Sequence, residues 1–167
     1  MTLQEMILID EIVLQTKIAK RAAERLLATH DHSDPVETWC SIQSILGATG
    51  NISKILWPTK QKYKERGEKL RKLLSVGDDN PLSSRKFRNH FEHYDERVEE
   101  WFENSVSAVY VDRAMNPSLM APRFFNGKSN VHRGYNSYDH TLVFRGEILD
   151  LTELMEALDT LLTNCRL

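Results

Sequence analysis

A mainly α fold, an up-and-down four-helix bundle with a small β-hairpin region and a C-terminal helix, is predicted by three features of this 167-residue chain. Apolar residues recur at helical spacing through the first hundred positions, turn clusters separate the runs, and short β-like runs appear only after Asn104. One domain, 1–167, is expected, with the helical bundle over 1–104 and the β appendage plus last helix over 105–167. That length buries a substantial core without disulfide or metal staples.

The first helix is predicted over Gln4–Thr29, where Leu8, Ile12, Ala19, Ala22 and Leu26 recur and neither glycine nor proline intervenes. Asp34-Pro35-Val36-Glu37 starts the second, with an N-cap acid, proline at the first helical position and glutamate at the third. Ile42, Ile45, Leu46, Ile52 and Leu56 line it, and Trp57-Pro58 ends it. Gly47 and Gly50 lie inside this helix, each costing about 1 kcal/mol relative to alanine, so the tight approach of a neighbouring helix is expected there. A third helix over Thr59–Leu74 has Leu70, Leu73 and Leu74 as apolar anchors. Gly77–Pro81 is a turn, and Ser83 or Ser84 caps a fourth helix running through Phe102.

Val106 to Arg113 alternate weakly as a strand, and Asn116–Asp139 reads as a long surface excursion with a short strand near Arg123–Phe125. Thr141–Phe144 and Glu147–Leu149, joined by Arg145-Gly146, form a hairpin. Asp150 then caps a last helix with Leu154, Leu158, Leu161 and Leu162 inward.

With 41% hydrophobic and 28% charged residues, the composition excludes disorder and a membrane span. Cys40 and Cys165 are expected as reduced thiols and, with no basic leader at the N-terminus, a cytoplasmic location is expected. The net charge of −2 conceals a basic middle, Lys54 to Arg88, followed by an acidic run, Glu92 to Glu103. Lys60, Lys64 and Lys72, with Arg97, are candidates to meet a polyanion, and solvated lysine–glutamate pairs are the better account of the charge pattern taken alone.

The fourth helix carries the chemistry. Phe87, Phe91, Tyr94, Val98 and Trp101 make one buried stripe, while Arg88, Asn89, His90, Glu92, His93 and Arg97 lie off it, on the expected wet face. Arg88-Asn89-x-x-x-His93 resembles the motif of the HEPN superfamily, small helical-bundle proteins that carry it on a late helix. The resemblance covers roughly Gln4 to Asn104. It implies a metal-independent endoribonuclease of the toxin or defence kind, without cofactor, acting on RNA as a homodimer and open to a neutralising partner protein. Arg88 would grip and stabilise the phosphate, His93 would move protons and Asn89 would position.

Five residues at about 100° each separate Arg88 and His93 by roughly 140° around the helix, which favours a site completed by a second copy. Arg85 and His90 repeat the arginine–histidine spacing with Lys86 in the polar slot, a less fitting register. The alternative to catalysis is an inactive HEPN-like module that binds RNA or protein. A metal-dependent hydrolase using His90, His93 and Glu92 lacks a second ligand cluster.

Overall fold

Thr2 opens the first helix with a reciprocal cap: its backbone N–H donates to Glu5 Oε2 at 2.6 Å, and the Glu5 N–H donates back to Thr2 Oγ1 at 3.2 Å. The helix that follows, α1 (Leu3–Ala28), belongs to a computed structural model describing residues 1–104, 109–120 and 130–166. The fold is mainly helical, with six α-helices and a four-stranded sheet among the described residues. Two compact units form, Met1–Arg88 with Leu154–Leu167, and Asn89–Glu153.

In the first unit α1 buries Ile9, Ile12, Thr16, Ala19, Ala22 and Leu26. Asp34 caps α2 (Pro35–Leu56) by accepting the Glu37 N–H at 2.9 Å. The Glu37 carboxylate turns to Arg25 at 3.0 Å and to the Ser41 hydroxyl at 2.9 Å. With Arg25–Glu37 near the turn and Asn51 donating to Gln15 at 3.3 Å farther along, α1 and α2 run antiparallel. Ile42, Ile45, Ile52 and Leu56 are 0–1% exposed between them and their neighbours.

The C-terminus of α2 explains part of the basic middle. Arg66 donates to the Ile55 carbonyl at 3.2 Å, Arg71 to Leu56 at 2.6 Å and Arg85 to Trp57 at 3.3 Å. These are carbonyls that a helix end leaves without intrahelical donors, and cations there complement the helix dipole. Three arginines are therefore structural.

The predicted third helix is shorter than expected: a 3-10 turn, Gln61–Tyr63, precedes α3 (Lys64–Leu73). Leu70 and Leu74 are fully buried, but Leu73 is 38% exposed and is not an anchor. Gly67 sits where α3 crosses the end of α2. A Cβ there would stand 2.5 Å from Pro58 Cδ and 2.7 Å from the Leu56 carbonyl oxygen. Gly67→Ala should therefore cost about 2 kcal/mol despite its better helix propensity. Gly47, with nothing within 4 Å of its Cβ position, should gain about 0.5–1 kcal/mol as alanine. Urea denaturation of both variants checks the pair, and equal shifts would defeat the argument.

The last helix, α6 (Leu151–Asn164), starts where Asp150 accepts the Thr152 and Glu153 N–H groups at 2.8 and 3.2 Å. Leu154, Leu158 and Leu161 are buried as expected, while Leu162 is half-buried. Asn164 donates to the Leu74 carbonyl at 2.8 Å and Lys20 pairs with Asp159, tying this segment into the first unit.

The single fourth helix expected through Phe102 is two helices, α4 (Lys86–Glu92) and α5 (Tyr94–Asn104), divided at His93. Backbone bonds from His93 N–H to Asn89 at 3.0 Å and from Arg97 N–H to His93 at 3.1 Å keep the helical spacing across the break.

The sheet of the second unit runs β1 (Ala114–Met115), β2 (Arg133–Asn136), β3 (Thr141–Phe144) and β4 (Glu147–Asp150), in that order. β1 and β2 pair parallel, and the other neighbours pair antiparallel. The hairpin is as predicted: Phe144 faces Glu147, and Arg145 and Gly146 have φ of 48° and 85°, the twist a two-residue turn requires.

β2 corrects the reading of 116–139 as a surface excursion, because Tyr135 and Asn136 are 0% exposed. Its polar neighbours staple one another. Asn136 donates to Ser118 Oγ at 2.9 Å and Thr141 Oγ1 at 3.0 Å, and accepts the Ser118 N–H at 3.1 Å. Asn116, at φ 51°, accepts from the Ser137 N–H at 2.7 Å. The expected strand at Arg123–Phe125 lies outside the described residues, as do 106–108 of the alternating run. At 111–113 that run yields only a parallel bridge, Val111 to Val131.

Candidate functional site

His93 stands at the break between α4 and α5 with its side chain 52% exposed and Nδ1 3.4 Å from Glu96 Oε1. Asn89, one turn earlier, is exposed and gives its carbonyl to the His93 N–H. Both belong to the second unit. Arg88 belongs to the first, where its stem lies across α2 at Gly50. A Cβ on Gly50 would be 3.0 Å from Arg88 Cδ and 3.1 Å from Cγ. In place of the tightly approaching helix expected at the α2 glycines, a side chain fills the space at Gly50, and nothing among the described residues comes within 4 Å of the Cβ position at Gly47.

His90 is not on a wet face. Its side chain is 14% exposed, and its ring stacks on Phe144 with centroids 4.1 Å apart and planes at 5°. Arg97 Nε–H donates to His90 Nδ1 at 3.3 Å, and His90 Nε2 lies 3.9 Å from Glu147 Oε2. Arg97 also donates to Glu100 at 2.6 Å, and Arg145 reaches the same carboxylate at 3.2 Å. Arg97, expected to face a polyanion, is engaged inside the second unit. Of the two arginine–histidine registers, the one ending at His93 leaves its imidazole open to solvent.

A second cluster, unread in the sequence, lies nearby in the same unit. Asp112 receives Arg133 through both oxygens, at 2.8 and 3.0 Å, and Tyr94 OH donates to it at 3.0 Å. The Tyr94 and Tyr110 hydroxyls are 3.1 Å apart, and the Arg133 guanidinium lies 3.9 Å from the Tyr94 ring centroid. Burial alone would raise the Asp112 carboxyl. The hydrogen bonds and charge of Arg133, with the Tyr94 hydroxyl, outweigh it and hold the carboxyl below the usual range. Burial and the Tyr94 bond push the Tyr110 phenol up.

His132 sits among these rings, 0% exposed, edge-on to Tyr94 at 5.5 Å and to Phe144 at 4.9 Å. Neither ring nitrogen has a hydrogen-bond partner among the described residues. Burial, aided by Arg145, Arg133 and His90 against an opposing Asp112, pushes its pKa down to about 4. It is a neutral core imidazole. Tyr94, Tyr110, Asp112, His132 and Arg133 come from three chain segments, so no local spacing announces them.

Lys60, Lys64 and Lys72 are exposed in the first unit. Among the described residues no three histidine, cysteine, aspartate or glutamate side chains gather to hold a metal ion. Cys40 and Cys165 are free, and burial pushes the Cys165 thiol up to about 11. No described helix is long and apolar enough to cross a membrane. Comparison of the chain with protein-family models, curated proteins and solved structures finds no match.

Proposed function

We propose that the chain is a HEPN-like, metal-independent endoribonuclease whose first hundred residues form the core of an up-and-down four-helix bundle. It acts as a cytoplasmic homodimer, as a toxin or defence component restrained by a partner protein. The observation that carries the reading is His93, a half-exposed imidazole at a helix break one turn after Asn89. In the reaction the RNA 2′-oxygen attacks the adjacent phosphorus and the 5′-oxygen leaves, giving a cyclic phosphate. His93 takes the 2′-hydroxyl proton or supplies one to the leaving oxygen. Arg88 stabilises charge growing on the phosphorane, and Gly50 leaves room for its stem. Asn89 positions the phosphate.

RNA cleavage in EDTA tests this directly. His93→Ala and Arg88→Ala should each lower the rate at least a hundredfold. Cleavage that survives both substitutions, or that chelator abolishes, defeats the mechanism.

Glu92, Asp95, Glu96 and Glu99, all exposed around His93, favour a second reading. Their charge repels RNA, as expected of an inactive RNA-binding or protein-interaction module that keeps the motif. That module shows salt-sensitive binding, or none, and no product bands.

A further inference from the structure

The 3-10 turn before α3 carries a ring and cations that neither the core nor the motif uses. Residues 59–65, Thr-Lys-Gln-Lys-Tyr-Lys-Glu, are all exposed. Tyr63 has 38% of its surface open to solvent. Lys62 Nζ lies 4.7 Å from its ring centroid and the Arg66 guanidinium 5.2 Å. Arg66 is itself fixed by the Ile55 carbonyl, so one of the two cations beside the ring is anchored to the fold and steadies it.

Lys60, Lys62 and Lys64 make no ion pair among the described residues, whereas Glu65, the one acid in the run, is held by Lys69 at 3.1 Å. The guanidiniums nearby are spent on the end of α2, but these three ammonium groups are not. An exposed aromatic ring set among unpaired cations is the combination that binds single strands: bases stack on the ring, and the cations follow the phosphates. Base-paired strands offer no free base face to such a ring.

We propose that the Gln61–Tyr63 turn is a single-stranded RNA site, with Tyr63 stacking an unpaired base and Lys60, Lys62 and Lys64 contacting backbone phosphates. The choice of RNA rests on the ribonuclease reading; the stacking site does not. Nothing bonded to the Tyr63 hydroxyl is needed, so the ring is the working part.

The experiment measures binding of a fluorescent oligouridylate to the full chain carrying His93→Ala, which removes the proposed cleavage. Tyr63→Ala should weaken binding at least tenfold, and Tyr63→Phe should leave it within twofold. Replacing Lys60, Lys62 and Lys64 by alanine should lower the slope of log affinity against log salt by about two. The same strand annealed to its complement, and polyglutamate as a bare polyanion, should compete at least tenfold less well. Full binding by Tyr63→Ala, loss with Tyr63→Phe, or equal competition by duplex or polyglutamate overturns the site. The two readings fail separately. Wild type that binds through Tyr63 but cuts nothing sinks the ribonuclease, and cleavage with intact Tyr63→Ala binding sinks the stacking site.

Discussion

Asp112→Ala should destabilise the second unit by about 3 kcal/mol, because it removes a bidentate carboxylate from a nearly buried arginine. The Asp112 and Arg133 side chains are only 13% and 12% exposed, and their two bonds, at 2.8 and 3.0 Å, are bidentate. Removing the carboxylate takes both Asp112 bonds from the guanidinium and takes from the Tyr94 hydroxyl the acceptor it meets at 3.0 Å. Asp112→Asn keeps an acceptor oxygen while losing the charge, so its cost should be smaller. Hydrogen exchange at the amides of Arg133–Asn136 and Thr141–Phe144 reads the effect where the sheet pairs. Protection equal to wild type in Asp112→Ala would show that the network contributes nothing to the unit's stability.

Acid should weaken the same unit through His132. Its folded pKa of about 4 lies below the ordinary value of 6.5, so the proton binds the unfolded chain more readily. The stability is fully present above about pH 6.5 and falls as the pH drops toward 4, by about 3 kcal/mol in all. The groups around the ring explain the sign. Arg133 on β2, Arg145 in the hairpin turn and His90 on α4 oppose a charge there, and Asp112 favours it. Asp112's own depressed pKa removes further stability at still lower pH. His132→Phe fills the aromatic surroundings without a titrating group and should flatten the profile between pH 6.5 and 4. Urea midpoints across that range decide it: an identical drop in His132→Phe would place the acid sensitivity elsewhere.

Where the fold was legible in the sequence, the signal was local. The starts of α2 and α6 follow from capping side chains within three residues, and the β3–β4 turn from two adjacent positions. Where the reading failed, distant partners decide. Arg133-Gly134-Tyr135-Asn136 looks like a turn-rich surface segment until Ser118 and Thr141 satisfy the Asn136 amide. Gly134 also admits Pro117, whose Cγ would be 2.7 Å from a Cβ at that position.

The motif helix shows the same division. The exposure of His93 was readable from spacing, but of the expected buried stripe Phe87 and Trp101 are buried while Phe91, Tyr94 and Val98 are half-buried, and the row that packs runs through His90 and Arg97 as well. His90, Tyr94, Arg97 and Trp101 step by four, three and four, and Phe144 and Glu100 cover polar members of that row. A histidine and an arginine on a helix look solvated unless the elements that receive them are known. The basic middle was misleading for a related reason. Arg66, Arg71 and Arg85 look like a surface for polyanions, yet they satisfy the end of α2.

The first unit is closed by Leu154–Leu167, while the 65 residues Asn89–Glu153 intervene. That ordering sets a sequence of events during synthesis. On the ribosome α1 and α2 emerge early and can pair as a hairpin of local contacts. Lys20 and the Leu74 carbonyl then wait for Asp159 and Asn164, which are made only after the whole second unit. The earliest part of this chain to appear is thus among the last to be completed.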